Sequence, residues 1–232
     1  MINVPKSKLH SLSRIVADVT GDGHLQLDNK RGVISFYSKK LNTIKNEDKR
    51  FFDLFEIKGH VYKNRRGFGG RLTYGIFFTS KDIATYLAGK GVPAGNKTST
   101  IFYVPNWILD GAEKIKKEYL KGIFTSEGSI YCTKSKNKKR WRIEIEQYKN
   151  LRIKNYGKMY MEQIKNMLEN FGIKCSPVRF GKKSKRSDNS FTIATKIDIE
   201  KKYFKRFNAE IGFDDKKKNK KLLKVIAGDM RG

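Results

Sequence analysis

Apolar positions along the chain follow two alternating rhythms. Leu9, Leu12, Ile15, Val16 and Val19 recur at helical spacing, and Gly23 suits a helix stop. From His24 the period falls to two: Leu25 and Leu27, then Ile34 and Phe36, alternate with polar neighbours around Lys30-Arg31-Gly32, which predicts a hairpin. Leu41–Phe55 returns to helical spacing through Ile44, Phe51, Phe52 and Phe55. IKGHVYKNRRGFGGRLTYGIFFTS reads as a second hairpin with its turn inside 65–70, and SKDIATYLAGKG as a short helix capped by Ser80.

The second half repeats this order. Gly111–Ser126 is predicted helical, SIYCTKSKNKKRWRIEIEQ a hairpin with a basic turn, and Asn155–Phe171 a helix through Met159, Ile164, Met167 and Leu168. IKCSPVRFGKKSKRSDNSFTIAT follows as another hairpin, IDIEKKYFKRFNAEIGF as a closing helix, and KKKNKKLLKVIAG as a basic tail. The expectation is an α+β chain made by duplicating an αββαββα unit. Its N-terminal half is 1–98, its linker 99–110 and its C-terminal half 111–232.

Charge narrows the class of partner. Fifty-one Lys and Arg stand against 23 Asp and Glu, a formal net charge of +28 over 232 residues. Such an excess repels itself unless a polyanion shares it, and nucleic acid gains by counterion release. With 38% hydrophobic residues the chain has material for a core. No run approaches the roughly 20 apolar residues of a spanning helix, and MINVPKSKLHSLSRI lacks a signal peptide's apolar centre. Cys132 and Cys175 are too few for a disulfide framework, and His10, His24 and His60 form no zinc spacing with them. A reducing compartment, cytoplasmic or organellar, is expected, with no secretion.

Candidate chemistry sits where two of the predicted helices end. IVADVTGDG (15–23) and LKGIFTSEG (120–128) both begin apolar and finish acid-Gly. Ala17 and Gly21 stand four apart, as do Gly122 and Ser126, so each pair shares a helix face on which small side chains let two backbones approach. Packing along those faces brings Asp22 and Glu127 out at the same end, where both helix dipoles are negative. Two carboxylates there suit Mg²⁺, with Mn²⁺ or Ca²⁺ as substitutes, and Gly21 and Ser126 beside them complete the candidate metal set. Asp18, Thr20, Asp22 and Gly23 also fit the opening of a calcium loop, but its twelfth position is Asn29 rather than a bidentate acid.

The paired segments resemble the LAGLIDADG motif of homing endonucleases, in the single-chain form with two copies. The duplicated unit and the VPNW stretch before the second motif extend the resemblance over nearly the whole chain. It implies a site-specific endonuclease acting on double-stranded DNA as a monomer. Two pseudo-symmetric halves would lay saddle-shaped antiparallel sheets in the major groove, cut a long asymmetric target with metal-dependent hydrolysis and leave 3′ overhangs. Asp22 and Glu127 would be the metal-binding catalytic acids. A basic residue after each half's last helix falls on Lys97 and on one of Lys217, Lys218 and Lys220, of which Lys218 is taken. A polar residue ending each second strand falls on Ser38 and Gln147. The free Met1 favours an intron-encoded protein. The alternative is an intron-RNA maturase or a DNA-binding regulator on the same fold without cleavage.

Basic residues cluster at the predicted hairpins: Arg65, Arg66 and Arg71; Lys134, Lys136, Arg140 and Arg142; Lys182, Lys183, Lys185 and Arg186. They form a candidate phosphate-binding saddle. Base readers are expected on strand faces turned from the helices. These are His24, Gln26, Asp28, Lys30, Ser35 and Tyr37 in the first half, and Ser129, Tyr131, Thr133, Arg140, Arg142 and Glu144 in the second.

Overall fold

The computed structural model describes residues 2–64, 72–135 and 138–228. Among these, helix α1 (Leu9–Thr20) leads into strands β1 (His24–Leu27) and β2 (Gly32–Ser38), helix α2 (Leu41–Phe55), strands β3 (His60–Asn64) and β4 (Thr73–Thr79), and helix α3 (Lys81–Gly89). After a short helix α4 (Asn106–Leu109) come α5 (Glu113–Glu127), β5 (Gly128–Ser135), β6 (Lys138–Asn150), α6 (Lys154–Asn170), β7 (Arg179–Lys185), β8 (Phe191–Glu200), α7 (Phe204–Glu210) and α8 (Lys216–Ala227). Two four-stranded antiparallel sheets result, ordered β1-β2-β4-β3 and β5-β6-β8-β7. The second half repeats the sheet plan of the first.

Local chemistry accounts for most boundaries. Ser80 Oγ accepts from Ile83 N at 3.3 Å to start α3, and Asp215 Oδ1 accepts from the Lys217 and Lys218 amides at 2.9 Å each to start α8. Asp28 Oδ1 accepts from Lys30 N and Arg31 N, which closes the β1–β2 turn. Inward-facing Leu25, Ile34, Phe36, Ile76 and Phe78 of the first sheet, and Ile143, Ile145, Ile197 and Ile199 of the second, join one core with Leu12, Ile15, Val16, Val19, Leu120, Ile123 and Phe124.

Two expectations need correction. The closing helix does not begin at Ile197. Residues 197–200 extend β8, whose register with β6 runs from Asn150↔Thr192 to Arg142↔Glu200. Ile197 and Ile199 fit either period, and pairing along that whole edge decides for the strand. The segment read as a basic tail forms α8, an amphipathic helix that buries Leu222 and Val225. Arg65, Arg66, Arg71 and Lys136 lie outside the described residues.

Candidate active site between the two halves

Helices α1 and α5 run side by side in the same direction. Ser13 Oγ donates to Ile115 O at 2.7 Å at one end of the contact. Ala17 faces Gly122 at the middle, and Gly21 faces Ser126 at the far end. All four packing residues expected from sequence therefore meet. Both helices finish at the same end, and Asp22 and Glu127 emerge there from different halves.

Glu127 feels the charge of Asp22, and both carboxylates feel the same two lysines. Both are exposed residues, yet burial is the largest influence on each. Water reaches one side of each while protein crowds the other. Burial and the neighbouring Asp22 charge push Glu127 up to about 7, with Lys97 and Lys218 opposing. Burial raises Asp22, against the pull of Lys218 and Lys97. Two like charges held in a crowded pocket favour a proton or a cation between them.

Lys97 and Lys218 occupy matching places. The Lys97 ammonium donates to the carbonyls of Gly21 and Gly23, which flank Asp22. The Lys218 ammonium donates to Thr125 O at 2.6 Å and Ser126 O at 3.1 Å, next to Glu127. Burial lowers Lys97 to about 8, although Glu127 and Asp22 hold it up; Lys218 is lowered by burial in the same way. Of the lysines open from sequence, Lys218 is thus the one that reaches the second motif.

Strand register fixes the other pair. His24, two residues past Asp22, pairs with Ser35, and Ser129, two past Glu127, pairs with Glu144. Three residues further along β2 and β6 stand Ser38 and Gln147. Ser38 lines a cleft of about 310 Å³ that also holds Asp22, Lys40, Glu47, Asp215 and Lys218. Gln147 lines a smaller recess with Gly21 and Glu127, and its Oε1 is buried without a hydrogen-bond partner among the described residues. An unpartnered buried carbonyl oxygen beside the carboxylate pair is a spare acceptor.

The candidate metal set consists of hard oxygen donors. Among the described residues no group of three or more His, Cys, Asp or Glu is arranged to hold a metal ion. Two carboxylates nevertheless suit Mg²⁺, which keeps several waters and is commonly held by one or two carboxylates plus substrate phosphate. The Gly21 and Ser126 carbonyls also serve lysine ammonium groups, so a cation there shares them.

Outward sheet faces differ between the halves. On the first, exposed His24, Gln26 and Tyr37 sit with an aromatic cluster of His60, Tyr62 and Phe77, while Ser35 is buried beneath. Lys30 is exposed at the turn that Asp28 closes. On the second, Ser129, Thr133, Lys134 and Arg140 are exposed, as are Lys182, Lys183, Lys185 and Arg186. Tyr131, Arg142 and Glu144 are tied up. Tyr131 OH donates to Asp198 at 3.1 Å, Arg142 lies 3.7 Å from Glu200, and Glu144 pairs with Lys196 at 3.1 Å and Arg179 at 3.4 Å. Cys132 and Cys175 are free thiols, and no described helix is long and apolar enough to cross a membrane.

Sequence reasoning missed three groups near the site. Lys149 is fully buried, and its Nζ donates to Lys97 O and Thr100 O. Lys40 pairs with Asp215. Arg14, Asp18, Glu47, Arg50 and Asp214 form a charged cluster beneath Asp22. The equal spacing of Ser38-to-Lys40 and Gln147-to-Lys149 was the available signal for the lysines.

Comparison with known proteins agrees with this geometry. Residues 114–212 match the model of the LAGLIDADG-like domain family. The chain is 27% identical over 226 residues to the tRNA-splicing ligase RtcB of Pyrococcus furiosus, covering 93% of this chain and 22% of that protein. It is 30% identical over 230 residues to the DNA-directed RNA polymerase subunit Rpo1N of Methanocaldococcus jannaschii, covering 94% and 17%. The chain thus spans about a fifth of the length of these relatives. The structure of the homing endonuclease I-WcaI bound to its DNA recognition sequence superposes with a TM-score of 0.56 at 14% identity, covering 91% of this chain and 83% of that one. Residues 114–212 therefore carry a LAGLIDADG-like domain, and the chain as a whole has the homing endonuclease fold, its two halves in one polypeptide.

Proposed function

We propose that the protein is a site-specific endonuclease that cuts both strands of double-stranded DNA, acting as a monomer on a long asymmetric target and leaving 3′ overhangs. One observation carries the reading: Asp22 and Glu127 meet at the ends of paired helices, each with a lysine fixed on its own motif. The net charge of +28 supports a polyanionic partner. The relatives support it indirectly. A similar segment makes up a fifth of a tRNA-splicing ligase and of an RNA polymerase subunit, two different activities, so its own role is separate from either. The similar endonuclease I-WcaI is seen on DNA.

Asp22 and Glu127 are the groups that would hold a divalent cation such as Mg²⁺. Bound there, it supplies charge stabilisation at the phosphate and a lowered pKa for water. The chain's own residues do the rest. Lys97 and Lys218 each use two N–H donors on backbone carbonyls, which leaves a third for a phosphate oxygen. That fixed positive charge stands where a pentacoordinate phosphorus gains negative charge. Gln147 Oε1 and the Ser38 hydroxyl can hold the attacking water. Its oxygen bonds to phosphorus, the bond to O3′ breaks, and the products are a 5′-phosphate and a 3′-hydroxyl. Because the outward faces of the halves differ, the two half-sites differ as well.

The test is a selection from a random DNA library with Mg²⁺, followed by cleavage of the selected site by wild type, Asp22→Asn and Glu127→Gln. Cleavage by wild type, with binding but no double-strand cut by the variants, is expected. Tight binding of DNA or intron RNA with no cut by wild type would replace this reading with a splicing helper or regulator on the same fold.

A further inference from the structure

We propose that Lys40 and Lys149 are a matched pair of positioning residues, each reaching from the far end of the second strand of one half, Lys40 from just beyond β2 and Lys149 from within β6, to the segment that carries the active-site lysine of the other half. The inference rests on the endonuclease reading above. Ser35 and Glu144 hold matching places opposite His24 and Ser129, and Lys40 and Lys149 each lie five residues further on, so their spacing along the chain is equivalent. Their contacts differ in kind, backbone carbonyls for Lys149 and a carboxylate for Lys40, but both cross between the halves and end on the segment that carries a motif-bound lysine.

Lys149, in the second half, donates to Lys97 O at 2.7 Å and to Thr100 O at 2.6 Å. Asn150 N, next in sequence, donates to Thr98 O at 2.8 Å. These bonds clamp the loop 97–100 from which Lys97 reaches the first motif. On its other side, Gly95 N donates to Leu25 O at 2.8 Å. Lys40, in the first half, pairs with Asp215, whose other carboxylate oxygen caps α8 on the amide of Lys218 itself. Thr125 Oγ1 holds the adjacent Asp214 amide at 3.1 Å. Each brace therefore acts on one active-site lysine through its backbone.

Lys149 shows how much the fold gives up to keep this contact. Its side chain is wholly buried, its ammonium stands 3.6 Å from the centroid of the Phe102 ring, and burial pulls its pKa down to about 7. Room for its stem depends on Gly157, where a Cβ would lie 2.8 Å from Lys149 Cγ. A neutral amine still has two N–H donors, so the clamp holds in either protonation state. An apolar residue would fill the space more cheaply but would orphan two buried carbonyls.

Strand-resolved cleavage of a target labelled on both strands tests the pairing. It is read beside hydrogen exchange of segments 95–101 and 213–219 and the melting temperature. Lys149→Met is expected to slow one strand's cut by roughly tenfold to a hundredfold and to raise exchange in 95–101 only. Lys40→Met is expected to slow the other strand and to raise exchange in 213–219 only. Lys40→Arg, which keeps the pair with Asp215, should restore that strand. Should Lys149→Met fail to fold, Lys149→Gln, which can still donate to one carbonyl, carries the same test. Equal slowing of both strands, slowing of the same strand by both variants, or unchanged rates in folded protein would overturn the proposal. A wild type that cuts neither strand would instead overturn the endonuclease reading, and the exchange pattern would still decide the braces.

Discussion

Gly122 lies against Ala17 with no room for a methyl group: a Cβ on Gly122 would stand 2.6 Å from the Ala17 Cβ. This contact sets how closely α5 can approach α1, and so how close the two carboxylates stand. Gly122→Ala should cost about 1–3 kcal/mol by overpacking. The exchange Ala17→Gly with Gly122→Ala moves the methyl to the other helix and should recover most of the loss. Urea unfolding of both single variants and the double variant checks this. A strictly additive double variant would mean that the two residues do not share the contact.

Pseudo-symmetry breaks beneath the acids. Arg14 stands eight residues before Asp22, and Tyr119 eight before Glu127. Arg14 pairs with Asp18 at 2.9 Å and Asp214 at 2.7 Å, and Arg50 joins Asp18 and Glu47. Tyr119 makes only a buried hydroxyl contact with Tyr160, at 3.1 Å. Arg14→Met leaves Asp18 buried with one remaining cation and should destabilise by about 3–5 kcal/mol. Replacing Arg14 and Asp18 together by Met and Leu should cost less than Arg14→Met alone, since no charge is then left unpaired. Chemical denaturation of the three proteins gives the comparison.

Much of this arrangement was legible in the sequence, because duplication wrote it twice. The acid-Gly endings, the small residues four apart and the alternating strands each recur, and a pattern met twice is harder to produce by chance. What stayed hidden depends on contacts between distant segments. Lys218 looks like its neighbours in a run of lysines until α8 forms and turns it toward Thr125 and Ser126. Lys149 looks like a surface lysine until the loop from the other half covers it. Asp28 and Glu144 read as free hydrogen-bonding groups on strand faces, but one closes a turn and the other is held by Lys196 and Arg179.

The acid pair predicts a pH signature in metal-free protein. Glu127 titrates at about 7 when folded, against 4.5 for the ordinary side chain. A raised folded pKa means its contribution to stability is full below the unfolded value and is lost as pH rises through about 7. Glu127→Gln carries no such loss. The melting temperature of the variant minus that of wild type should therefore grow between pH 5 and pH 8 in EDTA. Glu47, pushed up to about 8 by burial and Asp18, titrates in the same window but in both proteins, so it cancels in the difference. Added Mg²⁺ should shrink the gap above pH 7, where the cation no longer competes with a proton. A gap independent of pH would place Glu127 in ordinary surroundings.

Binding should separate positioning charges from paired ones. Lys182 and Lys185 are exposed on β7, where each can meet a phosphate. Replacing one by Ala should lower affinity for all sequences and reduce the slope of log K against log salt by about one per lost phosphate contact. Arg179 differs, because it lies 2.6 Å from Asp198 and 3.4 Å from Glu144 on the same sheet. Arg179→Ala removes a cation and also exposes two carboxylates to the DNA. It should weaken binding more than either lysine variant, and Asp198→Asn in the same protein should recover part of the loss. Fluorescence anisotropy across a salt series measures all of these. If Arg179→Ala behaves like Lys182→Ala, the Glu144–Arg179–Asp198 group lies away from the DNA, and reading of that half-site falls to exposed groups such as Ser129, Thr133 and Arg140.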